Sequence, residues 1–110
     1  MRRISISISD NDKFFIGFIR IHILYHASKE PVYGLWLIEE LGRHGYVLSP
    51  GTLLYPILKT MSGNGYLKTS SRVINGKIRK YYCITPAGRK VLREAGEKAA
   101  ELVAEVFPGK

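Results

Sequence analysis

Between Leu41 and Arg93 the chain has no aspartate and no glutamate. That absence removes carboxylate-pair catalysis and oxygen-rich cages for hard cations from the middle of the sequence. Cysteine is nearly as scarce. Cys83 stands alone, so no disulfide can form within the chain. With only three histidines beside it, zinc-ligand spacings are missing too. His22 and His26 are four apart and can share an ion from one helix face, but no third ligand is evident nearby, and no metal is expected. No apolar run is long enough to span a bilayer. The opening MRRISISIS alternates isoleucine with serine, which is not a signal peptide, and a cytoplasmic location is expected. Nucleophile–base motifs and phosphate-cradling glycine loops are also lacking, so the expectation is a protein that is not an enzyme and needs no cofactor.

What fills the acid-free stretch is positive charge. Ten basic residues lie there: Arg43, Lys59, Lys68, Arg72, Lys77, Arg79, Lys80, Arg89, Lys90 and Arg93. The formal charge is +8 and all nine acids fall outside the span, so the middle of the chain is suited to phosphates. The plain alternative is a basic surface that only solubilises. At 110 residues and 45% hydrophobic composition the chain makes one globular domain, or one domain with a dimerisation segment.

Taken in order, Met1 to Ser9 has the two-residue period of a strand, which either pairs with another element or stays an arm. Asp10, Asn11 and Asp12 supply capping residues for a helix over Phe14 to Ala27. That helix is apolar almost all round, which fits either a central core helix or one also buried by a second subunit. Pro31 ends a turn, and Tyr33 to Arg43 forms a second helix with Leu35, Leu37, Ile38 and Leu41 on its apolar side. Trp36 points away from Ile38 and Leu41, either into a core contact or into a flat ligand pocket. A third helix follows Ser49-Pro50, carries Leu54, Ile57, Leu58 and Met61 as its stripe, and stops at Gly63-Asn64-Gly65. Asn75-Gly76 between two β-prone runs, Tyr66 to Val73 and Lys77 to Ile84, signals a hairpin. Thr85-Pro86 starts a last helix that runs to about Phe107, with Val91, Leu92, Ala95, Ala99, Leu102, Val103 and Val106 as a dimerisation-like stripe.

Three helices, a basic two-stranded wing and a final helix make a mostly α fold of winged helix-turn-helix type. The expected division is an N-terminal arm over residues 1–11, a DNA-binding domain over 12–84 and a C-terminal dimerisation helix over 85–110. In such a domain the third helix, about 52–63, enters the major groove and the wing, about 66–84, reaches the flanking backbone. Ser49, Thr52, Tyr55, Lys59 and Thr60 on the helix, with Arg72, Lys77, Arg79, Lys80 and Tyr81 on the wing, are the candidate contacts to double-stranded DNA. Sequence-independent architectural binding and a winged-helix protein-interaction module share parts of this pattern and stay open.

Three segments also resemble a known family, the PadR-type transcriptional repressors. GFIRIHILYHASKEPVYGLWLIEEL, from Gly17 to Leu41, is similar to its first two helices. SPGTLLYPILKTMSGNGYL, from Ser49 to Leu67, resembles its Ser-Pro-Gly-Thr-Leu-Tyr-Pro signature. GKIRKYYCITPAGRKVL, from Gly76 to Leu92, resembles its wing and exit, ending in Thr-x-x-Gly. The single C-terminal helix is similar to the smaller of the family's two subgroups. The resemblance implies a homodimer joined through the first and last helices and a repressor, which a small aromatic or cationic effector can release from DNA. For that effector Trp36 is the one candidate contact. There is one departure. The signature has one residue between Thr and Tyr, and here Leu53 and Leu54 both stand there. An extra helical residue rotates what precedes it by about 100°. The spacing and Pro56 predict a turn at Ser49-Pro50-Gly51 and a helix that starts at Leu53, capped by Thr52.

Overall fold

The structure is a computed structural model and describes residues 13–109. The strand or arm expected over residues 1–11 lies outside the described residues. After a 3-10 turn at Lys13–Phe15, helix α1 spans Ile16–Lys29 and α2 spans Gly34–Gly42. Residues Pro50–Leu54 form a π-helical turn that runs into α3, Tyr55–Gly63. Strands β1 (Leu67–Ile74) and β2 (Lys77–Ile84) form an antiparallel hairpin, and α4 covers Pro86–Val106. This is the mostly helical, winged arrangement that the sequence predicts.

The core is built where the helical stripes converge. Ile19 and Ile23 of α1, Leu37 and Leu41 of α2, and Leu54, Leu58 and Met61 from the third helical segment are all fully or nearly fully buried. Each such side chain contributes roughly 1.5–3 kcal/mol of transfer free energy. The opposite side of α1 is apolar and faces outward: Phe18 and Tyr25 are exposed, as is Phe14 in the turn before the helix, by 82%. So the helix divides its apolar surface between the core and an open face.

The second helix differs from its expected pattern. Leu35 is not on the apolar side but 61% exposed. Gly34, Leu37 and Leu41 share the buried face at i, i+3 and i+7, and Leu35 lies about 200° from Leu37. Trp36 sits at the margin, packed partly against the core and edge-on to His26 with ring centroids 5.3 Å apart.

The exits of α2 and α3 repeat one device. After α2, Tyr46 N–H donates to the Leu41 carbonyl and Gly45 N–H to that of Gly42, both at 3.0 Å. After α3, Tyr66 N–H donates to Met61 and Gly65 N–H to Ser62, again at 3.0 Å. These are Schellman closures, and both put a glycine at positive φ, Gly45 at 88° and Gly65 at 82°. The first closure also swings His44 toward α1. His22, His26 and His44 then lie with ligand nitrogens within 4.8 Å of one another, so a third imidazole joins the pair that the sequence showed alone. Burial, then the neighbouring imidazoles, hold His22 below the ordinary histidine value; burial also lowers His26, against the pull of Glu40.

In the hairpin, Asn75 (φ 52°) and Gly76 (φ 78°) both take positive φ, the type I′ turn that matches strand twist. Val32, between α1 and α2, exchanges backbone hydrogen bonds with Tyr82 of β2 and so ties the wing to the helices. The Thr85 side chain caps α4: its Oγ1 accepts from Gly88 N–H at 3.0 Å and donates to the Gly65 carbonyl at 2.5 Å. The first turns of α4 pack Val91 and Leu92 against the core. Its far end does not: Leu102, Val103, Val106 and Phe107 are each 50% or more exposed.

Candidate nucleic-acid interface

The third helix begins earlier than the sequence predicts and begins differently. Pro50, not Leu53, opens it, in π form. Leu53 and Leu54 N–H groups both donate to the Ser49 carbonyl at 3.2 Å, and Tyr55 N–H reaches back to Pro50. A π turn holds one residue more than an α turn, so the additional leucine is taken up here. Both leucines are buried as a result. Pro56, with no N–H to donate, stands at the second position of α3, directly after the π turn. The Ser49 and Thr52 hydroxyls hydrogen-bond each other across the turn.

From that start, Tyr55, Lys59 and Ser62 project from one side of α3 into an open groove of about 1050 Å³. The wing forms its other wall through Lys77, Arg79 and Lys80. Thus five of the ten candidate contacts, from two elements, line a single concavity. Ser49, Thr52, Thr60, Arg72 and Tyr81 lie outside that lining; Thr60 Oγ1 donates to the Pro56 carbonyl at 3.0 Å. Leu35, Tyr33 and Ile78 also line the groove; no local sequence pattern points to them, because their placement depends on contacts between elements.

The wing arginines are held by aromatic rings. Arg72 and Arg79 are cross-strand partners, an arrangement that like charge opposes. Each guanidinium lies over a ring: Arg72 over Tyr81 at 4.4 Å and Arg79 over Tyr33 at 4.1 Å. The two tyrosines meet edge-on at 5.4 Å. The result is a stack of arginine, tyrosine, tyrosine and arginine, with the attraction of cation for ring face offsetting the repulsion. Tyr81 is buried inside it, so it supports the arginines and presents little of its own ring. A hydrogen bond with Tyr81 holds the Arg79 guanidinium above its ordinary value, fully charged. Among the described residues no ion pair neutralises Lys59, Lys77, Arg79 or Lys80. The groove therefore offers several uncompensated cations to a phosphate backbone. No helix of the described residues is long and apolar enough to cross a membrane.

Known proteins share both the sequence and the shape. The transcriptional regulator PadR-like family matches residues 23–94. The chain is 47% identical over 91 residues to transcriptional regulator Rv3488 of Mycobacterium tuberculosis, covering 83% of this chain and 84% of that one. Among solved structures, smu.1704 from Streptococcus mutans superposes with a TM-score of 0.73 at 31% identity, over 80% of this chain and 81% of that one. A PadR family transcriptional regulator from Eggerthella lenta gives 0.74 at 29% identity, over 89% and 88%. The family, the Mycobacterium tuberculosis relative and the Eggerthella lenta protein are each described as regulators of transcription.

Proposed function

The chain belongs to the PadR-like family of transcriptional regulators, and from that premise we propose that it binds duplex DNA as a homodimer and acts as a repressor. The groove between α3 and the wing carries the reading. It unites Tyr55, Lys59, Lys77, Arg79 and Lys80, and all five come from the stretch between Leu41 and Arg93 that contains no acid. In this reading α3 enters the major groove, with Tyr55, Lys59, Thr52, Thr60 and Ser49 toward base edges and phosphates. The wing follows the flanking backbone through Arg72, Lys77, Arg79 and Lys80, with Tyr81 behind them.

Residues 12–84 bind DNA and residues 85–110 pair two copies. Two exposed apolar faces support that pairing: Phe18 and Tyr25 on α1 with Phe14 in the turn before it, and Leu102, Val103 and Val106 on α4. A two-fold dimer places one recognition helix on each half-site of a palindromic operator. The reading includes release of DNA by a small aromatic or cationic compound, with Trp36, at the margin of the core, as the candidate contact.

Selection of bound sites from a random duplex pool tests the whole reading. A two-fold-symmetric motif is expected. Binding without enrichment indicates an architectural protein, and absence of binding at low salt leaves a protein-interaction module. Within the reading, Arg79→Ala with Lys80→Ala weakens binding across all sequences and reduces the slope of log affinity against log salt by roughly one per lost phosphate contact. Wild-type affinity and slope in that variant remove the wing from the interface.

A further inference from the structure

The ring cluster between α1 and α2 shares no residue with the groove. We propose that His22, His26 and His44 form a binding site for a divalent transition-metal ion of the zinc type, with Glu40 as the fourth ligand.

The geometry is close to what such an ion requires. Tetrahedral coordination with bonds of about 2.0–2.1 Å sets neighbouring ligand atoms roughly 3.3 Å apart. The three histidine nitrogens lie within 4.8 Å of one another, a gap that small side-chain rotations close. Glu40 Oε2 is 3.7 Å from His26 Nε2 and 3.5 Å from His44 Nε2, near the required separation from those two nitrogens. Its other oxygen, Oε1, faces Arg43 Nη1 at 3.7 Å. The carboxylate is thus anchored on one side and directed at the imidazoles on the other, the outer support that ligating carboxylates have.

Each ligand is also fixed by its element. His22 and His26 are one turn apart on α1 with rings nearly parallel, 11° between planes. Glu40 is on α2, and His44 is carried by the Schellman closure that Gly45 permits. Tyr46 packs edge-on to His22 at 5.6 Å and Trp36 to His26 at 5.3 Å, which restrains both rings and partly screens them from water. Three imidazoles and one carboxylate favour Zn²⁺, Co²⁺ or Ni²⁺ over Ca²⁺ or Mg²⁺, which prefer oxygen alone. A bound ion would fasten α1 to the α2 exit, two parts of the scaffold that carry the recognition helix.

Cobalt reports on this directly. Titrating the metal-free, untagged full chain with Co²⁺ is expected to give saturable visible absorption of four-coordinate intensity, which Zn²⁺ abolishes by displacement. Zn²⁺ is expected to raise the thermal midpoint. His44→Ala, in an open turn, is expected to weaken Co²⁺ binding by at least about tenfold, and Glu40→Gln by about tenfold. If His44→Ala does not fold, as judged by far-ultraviolet circular dichroism, His44→Gln serves instead. The weak spectrum of six-coordinate Co²⁺ in the wild type overturns the proposal. So does unchanged Co²⁺ affinity in a folded His44 variant. None of these measurements involves DNA, so they stand apart from the test of DNA binding.

Discussion

Gly88 has no room for a side chain. A Cβ built there would fall on the Tyr66 carbonyl oxygen and against Ile84. Three residues earlier, Thr85 caps the same helix and holds the loop after α3 through the Gly65 carbonyl. The Thr-x-x-Gly exit of the wing is therefore a cap and a close approach in one motif. Gly88→Ala is expected to destabilise the fold by about 1–3 kcal/mol, because backbone has to move. Thr85→Ala is expected to cost about 1 kcal/mol, and Thr85→Ser to recover most of it. Urea denaturation of the three variants measures all of this; a Gly88→Ala protein as stable as the wild type would mean that α4 does not sit as described. Residues of this kind were legible in the sequence because their partners are local. The cap of Thr85, the hairpin turn at Asn75-Gly76 and the exposed Lys59 all follow from neighbours a few positions away. Leu35 and His44 were not. The apolar pattern of α2 puts Leu35 with the core, whereas in the fold it is exposed. His44 becomes part of a cluster only when the α2 exit folds back on α1.

At the scale of elements, the π turn at Pro50–Leu54 reconciles the sequence with the family signature. The departure was visible as an extra leucine, but how it would be absorbed was not. Sequence pattern favoured a turn and a later helix start, since an α-helix cannot take one more residue without rotating its faces. The chain instead widens one turn and buries both Leu53 and Leu54. Deleting Leu53 restores the usual spacing and removes the residue that the wide turn takes up. That deletion is expected to keep cooperative thermal unfolding. An alanine inserted after Lys59 is expected to abolish it, because Met61 would rotate about 100° out of the core. Circular dichroism melts compare the two; loss of cooperativity in the deletion would show that the wide turn is indispensable. The other elements were read nearly in full, since amphipathic stripes and turn residues specify them without long-range help.

The whole molecule is longer than it is wide, 53 × 30 × 24 Å. Its 21-residue α4, about 31 Å at 1.5 Å per residue, accounts for much of the long dimension. In the proposed dimer, Leu102→Glu with Val106→Glu places charge in the shared apolar face. Sedimentation equilibrium is then expected to find monomers. Affinity for a two-half-site operator is expected to fall by roughly 100-fold or more as avidity is lost. A dimeric double variant would exclude the end of α4 from the interface.

The uncovered apolar end of α4 carries one more consequence. If protomers must find each other before an operator is filled, the copy number of the chain becomes an input in its own right. Below the pairing constant, halving the supply of protomers cuts the supply of dimers roughly fourfold by mass action. A modest change in synthesis or turnover would then act as a dial on the regulated genes, with no ligand involved.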